Sequence, residues 1–346
     1  MDFTASALLE LRLKAEQGWQ DPQFSAAFTP KAEAAVAVLS NQTARFTEGF
    51  NNPEKDNKVA VTWINTCNIE AEDCEPNCDL DEPELDSGRQ LMEIDTCKKT
   101  GFAIDEMKLR TNDYNLQEVF TQGHAKAITS LDEFWAAQVL AKLKTFAGIN
   151  QFPEPFTYDA VNRTTNVPLA AQNVKLVANF LQQAMLNDMP NPYFINNGTL
   201  WLEWMNSQLD AGNLDGRGDL NRINQLRMYF DQFNFAKAGL TEDTFMINPN
   251  AVAMKTKVTH PDTPTVLGGK VGKTIFTVPS RTLPNVKYDV HYQLSCKEVE
   301  GKTHYFHTWR YETNGGIWLN PSLCPITVGE DTVTPTGVLS YTNLAV

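Results

Sequence analysis

The feature that most limits the folds open to this chain is one amphipathic run from Asp113 to Phe146. Apolar side chains recur at Leu116, Phe120, Ala127, Leu131, Trp135, Val139, Leu143 and Phe146, in steps of three, four and seven. Gln117, Lys126, Asp132, Glu133, Gln138 and Lys142 take the other side, so the run reads as a helix with one buried stripe. Asp113 is placed to cap its start and Gly148 to take the left-handed position after its end. At 1.5 Å per residue such a helix extends for ~50 Å, about three times the mean globular helix, unless Gly123 breaks it. A helix of that length serves as a spine, packed through Leu131, Trp135 and Val139.

Ahead of the spine the sequence cannot build a core alone. Ala7, Leu8, Leu11 and Ala15 have helical spacing, Gly18, Pro22 and Pro30 interrupt, and a second apolar run follows from Ala32 to Leu39. Lys58 to Ile64 alternates as a strand, with Val59, Val61 and Trp63 on one face, and Gln90 to Ile94 and Phe102 to Ile104 are expected to return antiparallel to it. Between them lies the charge. Of a formal net charge of −13, the stretch Glu70 to Asp95 carries −10, with eleven acids against the single base Arg89. Pro76, Pro83 and Gly88 break regular structure there, so the stretch reads as the exposed end of a two-stranded excursion. An isolated hairpin is marginal in water, which points to packing on a neighbouring molecule.

Four of the six cysteines, Cys67, Cys74, Cys78 and Cys97, fall in or beside this excursion. A zinc site favours two closely spaced pairs, and here only Cys74 and Cys78 have such a spacing. Disulfides within or between excursions are open to a protein that ends outside the reducing cytosol, and reduced thiols are the third reading. Cys296 and Cys324 flank a β-rich segment and read as small core residues.

After the spine, Asn166 and Pro168 are expected to start a helix over Leu169 to Asn187, with Leu169, Val174, Val177, Leu181 and Met185 inward. A helix through Trp201, Trp204, Met205 and Leu209, another from Leu220 to Phe230, and a strand from Thr244 to Ile247 complete a mixed middle lobe. From Pro261 onward strands are expected at Thr274 to Val278, Tyr288 to Glu298, His304 to Thr313 and Val338 to Tyr341, with Thr313 to Gly316 as a turn.

Local signatures of chemistry are missing. No phosphate-cradling glycine loop, metalloprotease helix or nucleophile elbow occurs in the sequence. Asp210, Asn213, Asp215 and Asp219 lack the spacing of an EF-hand, and His304 and His307, three apart on a strand, point to opposite faces. No cofactor, metal or catalytic residue is therefore expected. The acidic balance disfavours sequence-reading of nucleic acid, and the N-terminus has neither the basic nor the apolar part of a secretory signal. No stretch reaches the apolar length of a membrane span, so no membrane partner is expected. Two alternatives are an exported or surface β-rich binding protein, and a carbohydrate-active enzyme with dispersed carboxylates.

The order of these parts, an arm, a long acidic excursion, a spine helix, a mixed lobe left through Phe245-Met-Ile-Asn-Pro-Asn-Ala-Val-Ala-Met254, and a β-rich return, resembles the major capsid proteins of tailed bacteriophages. The resemblance implies the α+β Hong-Kong-97-like fold. It places the N-terminal arm at 1–50, the extended loop at 51–108, the peripheral domain with its spine at 109–166, the axial domain at 167–248 and the return to the peripheral domain at 249–346. It further implies a non-enzymatic structural subunit that self-assembles into hexamers and pentamers, enclosing double-stranded DNA contacted non-specifically. Scaffolding, portal and decoration proteins are the implied further partners, and the virion, assembled in the host cytoplasm, is the implied location.

Overall fold

The computed structural model describes residues 4–19, 31–42, 58–65, 86–112, 114–168, 176–189, 191–198, 227–267, 273–321, 324, 326–328 and 331–344. Its elements begin with α1 (Ala5–Gly18), α2 (Glu33–Asn41), β1 (Lys58–Asn65), β2 (Asp86–Glu93), β3 (Thr96–Asp105), α3 (Glu106–Thr111) and α4 (Leu116–Phe146). Next come β4 (Thr157–Asp159), β5 (Thr164–Pro168), α5 (Leu176–Leu186), β6 (Tyr193–Asn196), β7 (Arg227–Phe230), α6 (Gln232–Ala238) and β8 (Thr244–Ile247). The last are β9 (Val252–Lys257), β10 (Thr265–Val266), β11 (Lys273–Pro279), β12 (Lys287–Val299), β13 (Lys302–Leu319), β14 (Ile326–Val328), β15 (Asp331–Val333) and β16 (Val338–Leu344). The fold is α+β, as the sequence implied. Two compact units divide it, one of Met1–Val36, Asp95–Ala136 and Lys255–Gly316, the other of Ala37–Ile94, Ala137–Met254 and Ile317–Val346.

The spine is one unbroken helix of 31 residues, with the division between the units falling inside it after Ala136. Asn115 caps it, its side-chain oxygen accepting the Gln117 N–H at 3.0 Å, while Asp113 lies outside the described residues. Gly123 does not break it. A Cβ there would sit 2.8 Å from the Phe102 ring, so the glycine makes room for an aromatic side chain. Gly148 is not left-handed either; its N–H donates to the Val338 carbonyl at 2.9 Å.

In the first unit the antiparallel strands run in the order β10-β11-β12-β13-β3. Glu300 and Gly301, both at positive φ (51° and 74°), join β12 to β13, the backbone twist that a two-residue hairpin of long strands demands. Alternation then sorts the faces. Tyr288, Val290, Tyr292, Trp309 and Tyr311 are buried, while His291, Gln293, Arg310 and Glu312 belong to the opposite face. Phe102 and Phe120 close on Trp309, with ring centroids 5.2 and 5.1 Å away. This explains why β3 departs from expectation. It pairs with β13, Phe102 opposite Trp309, rather than with β1, because Phe102 is drawn into the aromatic core.

The residues Thr313 to Gly316 form no turn; β13 runs straight through them. A Cβ on Gly315 would stand 2.5 Å from the Lys255 carbonyl oxygen and 2.7 Å from the Trp135 ring, so this glycine serves the close approach of β13 to β9 and the spine. The N-terminal segment has partners within its own chain. Leu8, Leu11 and Ala15 of α1 are buried, Gln117 donates to the Leu11 carbonyl at 3.3 Å, and Arg12 donates to the Thr277 carbonyl at 2.9 Å.

The second unit is built on a mixed sheet ordered β4-β5-β16-β8-β6-β7, with β16 parallel to β5 and β6 parallel to β7. Helix α5 covers it through Leu176, Phe180 and Ala184, which cluster with Phe156, Val167, Phe194, Met246 and Tyr341. Met185, expected inward, is 77% exposed, because the buried stripe falls on positions 176, 180 and 184. Asn166 and Pro168 belong to strand β5 rather than to a helix start, the backbone of β5 being paired with β16. Arg227 to Phe230 is strand β7, not the end of a helix, and Leu169, Val174, Trp201, Trp204, Met205, Leu209 and Leu220 lie outside the described residues.

Candidate functional site

Three arrangements carry the polar and exposed chemistry, and the first is the ribbon of β1 and β2. Its register runs from Lys58 opposite Glu93 to Asn65 opposite Asp86. One face packs at home, with Trp63 and Met92 against Ala253 and Trp318. Gly88, opposite Trp63, has no room for a Cβ, which would overlap the indole at 2.2 Å. The other face presents Ile64 and Leu91, each 58% exposed. The sequence foresaw the strand and its Trp63 face but not which apolar side chains stay uncovered.

Of the cysteines beside this ribbon, Cys67, Cys74 and Cys78 lie outside the described residues, and Cys97 on β3 carries an exposed, free thiol. Cys296 and Cys324 are not core residues. Cys296 is exposed and free near the turn of the β12–β13 hairpin, and Cys324 is exposed and disulfide-bonded. On the spine, Leu131, Trp135 and Val139 are buried, and the Trp135 indole donates to the Thr313 hydroxyl at 2.9 Å.

The second arrangement surrounds Asp132, expected on the polar side of the spine and in fact fully buried. The cost of removing a carboxylate from water is met by three hydroxyls that donate to it. Ser280 Oγ lies at 2.7 Å and Thr282 Oγ1 at 2.9 Å, and Tyr288 donates as well. Burial nonetheless pushes its pKa up to about 6, and burial with the adjacent Asp132 holds the Tyr288 phenol well above its usual range. Two turns earlier on the helix, His124 stacks between Trp19 and Phe120 and shares a 2.7 Å hydrogen bond with the Tyr311 hydroxyl. Its Nε2 has no hydrogen-bond partner among the described residues. Burial, aided by the Arg12 charge, lowers its pKa to about 3, so it stays neutral.

The third lies on the outer face of the first unit's sheet. His260, in the turn after β9, and His291 on β12 meet Nε2 to Nε2 at 3.0 Å with rings nearly perpendicular at 84°. Glu312 Oε2 is 3.3 Å from His291 Nε2, and its other oxygen accepts from Arg310 at 2.8 Å. Burial and the neighbouring His260 hold His291 below its usual pKa, with Glu312 pulling the other way. Among the described residues no group of three or more His, Cys, Asp or Glu is disposed around one metal position. His304 and His307 part as expected, the former to Asp105 Oδ2 at 2.8 Å and the latter to the Tyr292 hydroxyl at 2.9 Å. Sequence reading missed the His260–His291 pair because their encounter depends on a turn 31 residues away in the chain; only the alternation of Asp289, His291 and Gln293 on one face was legible.

No helix among the described residues is long and apolar enough to cross a membrane. No protein-family profile matches the chain, and no curated protein matches it. Among solved structures it is similar to a chain of Mycobacterium phage Che8, at 13% identity and a TM-score of 0.44 over 88% of this chain and 90% of that one. It is similar also to the capsid asymmetric unit of cyanophage A-1(L), at 9% identity and a TM-score of 0.47 over 83% and 91% of the two chains. The mature capsid of bacteriophage PhiM1 is a third, at 9% identity and a TM-score of 0.44 over 85% and 84%.

Proposed function

We propose that the chain is a structural subunit of an icosahedral tailed-phage capsid, associating with copies of itself into hexamers and pentamers that enclose double-stranded DNA. The observation that carries this reading is the ribbon of β1 and β2. A two-stranded ribbon is marginal alone, and this one spends one face on its own subunit while offering Ile64 and Leu91 to whatever lies outside. A neighbouring copy that covers this face is what a closed shell provides at every subunit.

The remaining features agree with a covering rather than a catalytic role. The net charge of −13 suits a protein that surrounds DNA without gripping it. The polar side chains buried around Asp132 are engaged with one another and hold the sheet to the spine. In this reading 1–50 is the arm, 51–108 the extended loop, 109–166 and 249–346 the peripheral domain and 167–248 the axial domain. Scaffolding, portal and decoration proteins are its other partners, assembly takes place in the host cytoplasm and the finished protein resides in the virion.

Light scattering and negative-stain microscopy of the purified chain test the proposal directly. Wild-type protein is expected to form shells or rings, and Leu91→Lys, which places a charge on the uncovered face, is expected to remain folded but unassembled. A compact 38.8 kDa monomer under all conditions would overturn the reading.

A further inference from the structure

The pair His260 and His291 is built more firmly than two surface histidines need to be. Asp289 takes the backbone N–H of Thr259 at 2.9 Å, the N–H of His260 at 3.1 Å and the Thr259 hydroxyl at 2.7 Å, which fixes the turn to strand β12. The turn is tied a second time, the Thr277 N–H donating to the Pro261 carbonyl at 2.9 Å. Because the single Thr259 hydroxyl proton is given to Asp289, the 3.3 Å contact between Thr259 Oγ1 and His260 Nδ1 leaves Nδ1 as the donor. His260 Nε2 is then a bare lone pair, aimed at His291 Nε2 3.0 Å away.

We infer that His260 and His291 form a two-imidazole site for a divalent transition-metal ion, of the nickel, copper or zinc class that imidazole favours. Two nitrogens bound at 2.0–2.1 Å to a tetrahedral ion stand about 3.3 Å apart, so the pair needs to open by only a few tenths of an ångström. The ion takes the place of the proton that His291 Nε2 shares with His260, and His291 moves that proton to Nδ1. Asp289 acting through Thr259 is the carboxylate-to-histidine relay that orients metal-binding imidazoles elsewhere. Glu312, engaged by Arg310, supplies negative charge beside the site, and water completes the coordination. Both histidines are partly exposed, which leaves an entry path from solvent.

The bound ion would tie the turn after β9 to β12, an effect separate from shell assembly. Isothermal titration of the full, tag-free chain with Ni2+ tests it, with circular dichroism confirming that each variant is folded. His260→Ala and His291→Gln are each expected to lose one equivalent of Ni2+ per subunit, and the double variant is expected to lose no more than either alone. Thr259→Ala is expected to keep the equivalent but bind it about tenfold more weakly. Absence of Ni2+ binding by wild type, unchanged stoichiometry in either single variant, or two equivalents lost in the double variant would each overturn the inference. Unchanged affinity in Thr259→Ala would overturn the relay on which it rests.

Discussion

Two buried ionisable residues two turns apart on the spine act on stability with opposite signs. Asp132 has a folded pKa of about 6 against an ordinary 3.8, so the folded state holds its proton longer than the unfolded state. Stability from this group is full below the lower value and falls by about 3 kcal/mol as pH rises to the upper one. His124 has a folded pKa of about 3 against 6.5, so its neutral burial is harmless above 6.5 and costs more as pH falls. Between about pH 4 and 6 the two slopes nearly cancel. Denaturant titrations should therefore find Asp132→Asn gaining about 3 kcal/mol over that window as pH rises, and His124→Phe losing a similar amount. Parallel profiles for both variants and wild type would show that neither residue titrates as its burial demands. Trp135 carries a different burden. Its removal to Ala should cost about 3–5 kcal/mol through lost packing and a cavity. Trp135→Phe should cost less, about 1–3 kcal/mol, largely from the Thr313 hydroxyl left without its donor. An equal loss in both would mean the hydrogen bond, not the volume, dominates.

At the scale of elements, glycines decide where helix and strand can approach. In an exposed helix interior Gly→Ala stabilises by about 1 kcal/mol, but Gly123 faces the Phe102 ring at a distance no Cβ can tolerate. Gly123→Ala should therefore destabilise by about 1–3 kcal/mol, and a Phe102→Leu background should recover part of the loss. Thermal denaturation of the two single variants and the double variant checks this; a stabilised Gly123→Ala would show that the spine and β3 are less closely packed. The amphipathic run was legible because its period is a local property. The course of β3 was not, since the same alternating residues satisfy a partner on β1 or on β13, and the aromatic core around Trp309 chose the latter.

For the whole molecule, the ribbon and what lies beyond it govern association. Asn65 and Asp86 are directly paired, so residues 66–85 can be replaced by a two-residue Asn-Gly turn without disturbing the register. That variant should still fold as a dilute subunit, with a melting temperature lowered no further than in a Cys324→Ser control that also removes the Cys324 disulfide, while shells fail to form or lose the rise in melting temperature that assembly confers. Complete particles from it would remove residues 66–85 from the contacts between subunits. The sequence by itself determined the mixed composition of the fold, the length and buried stripe of the spine, the alternation of the late strands and the concentration of charge between positions 70 and 95, because period and composition are set by neighbours along the chain. Only the tertiary structure decided that Asp132 turns inward to three hydroxyls, that Gly123 and Gly315 serve approach rather than turning, that α1 finds partners within its own chain and that His260 meets His291. Each of these depends on groups brought together from distant segments, where burial and hydrogen-bond satisfaction outweigh any local preference.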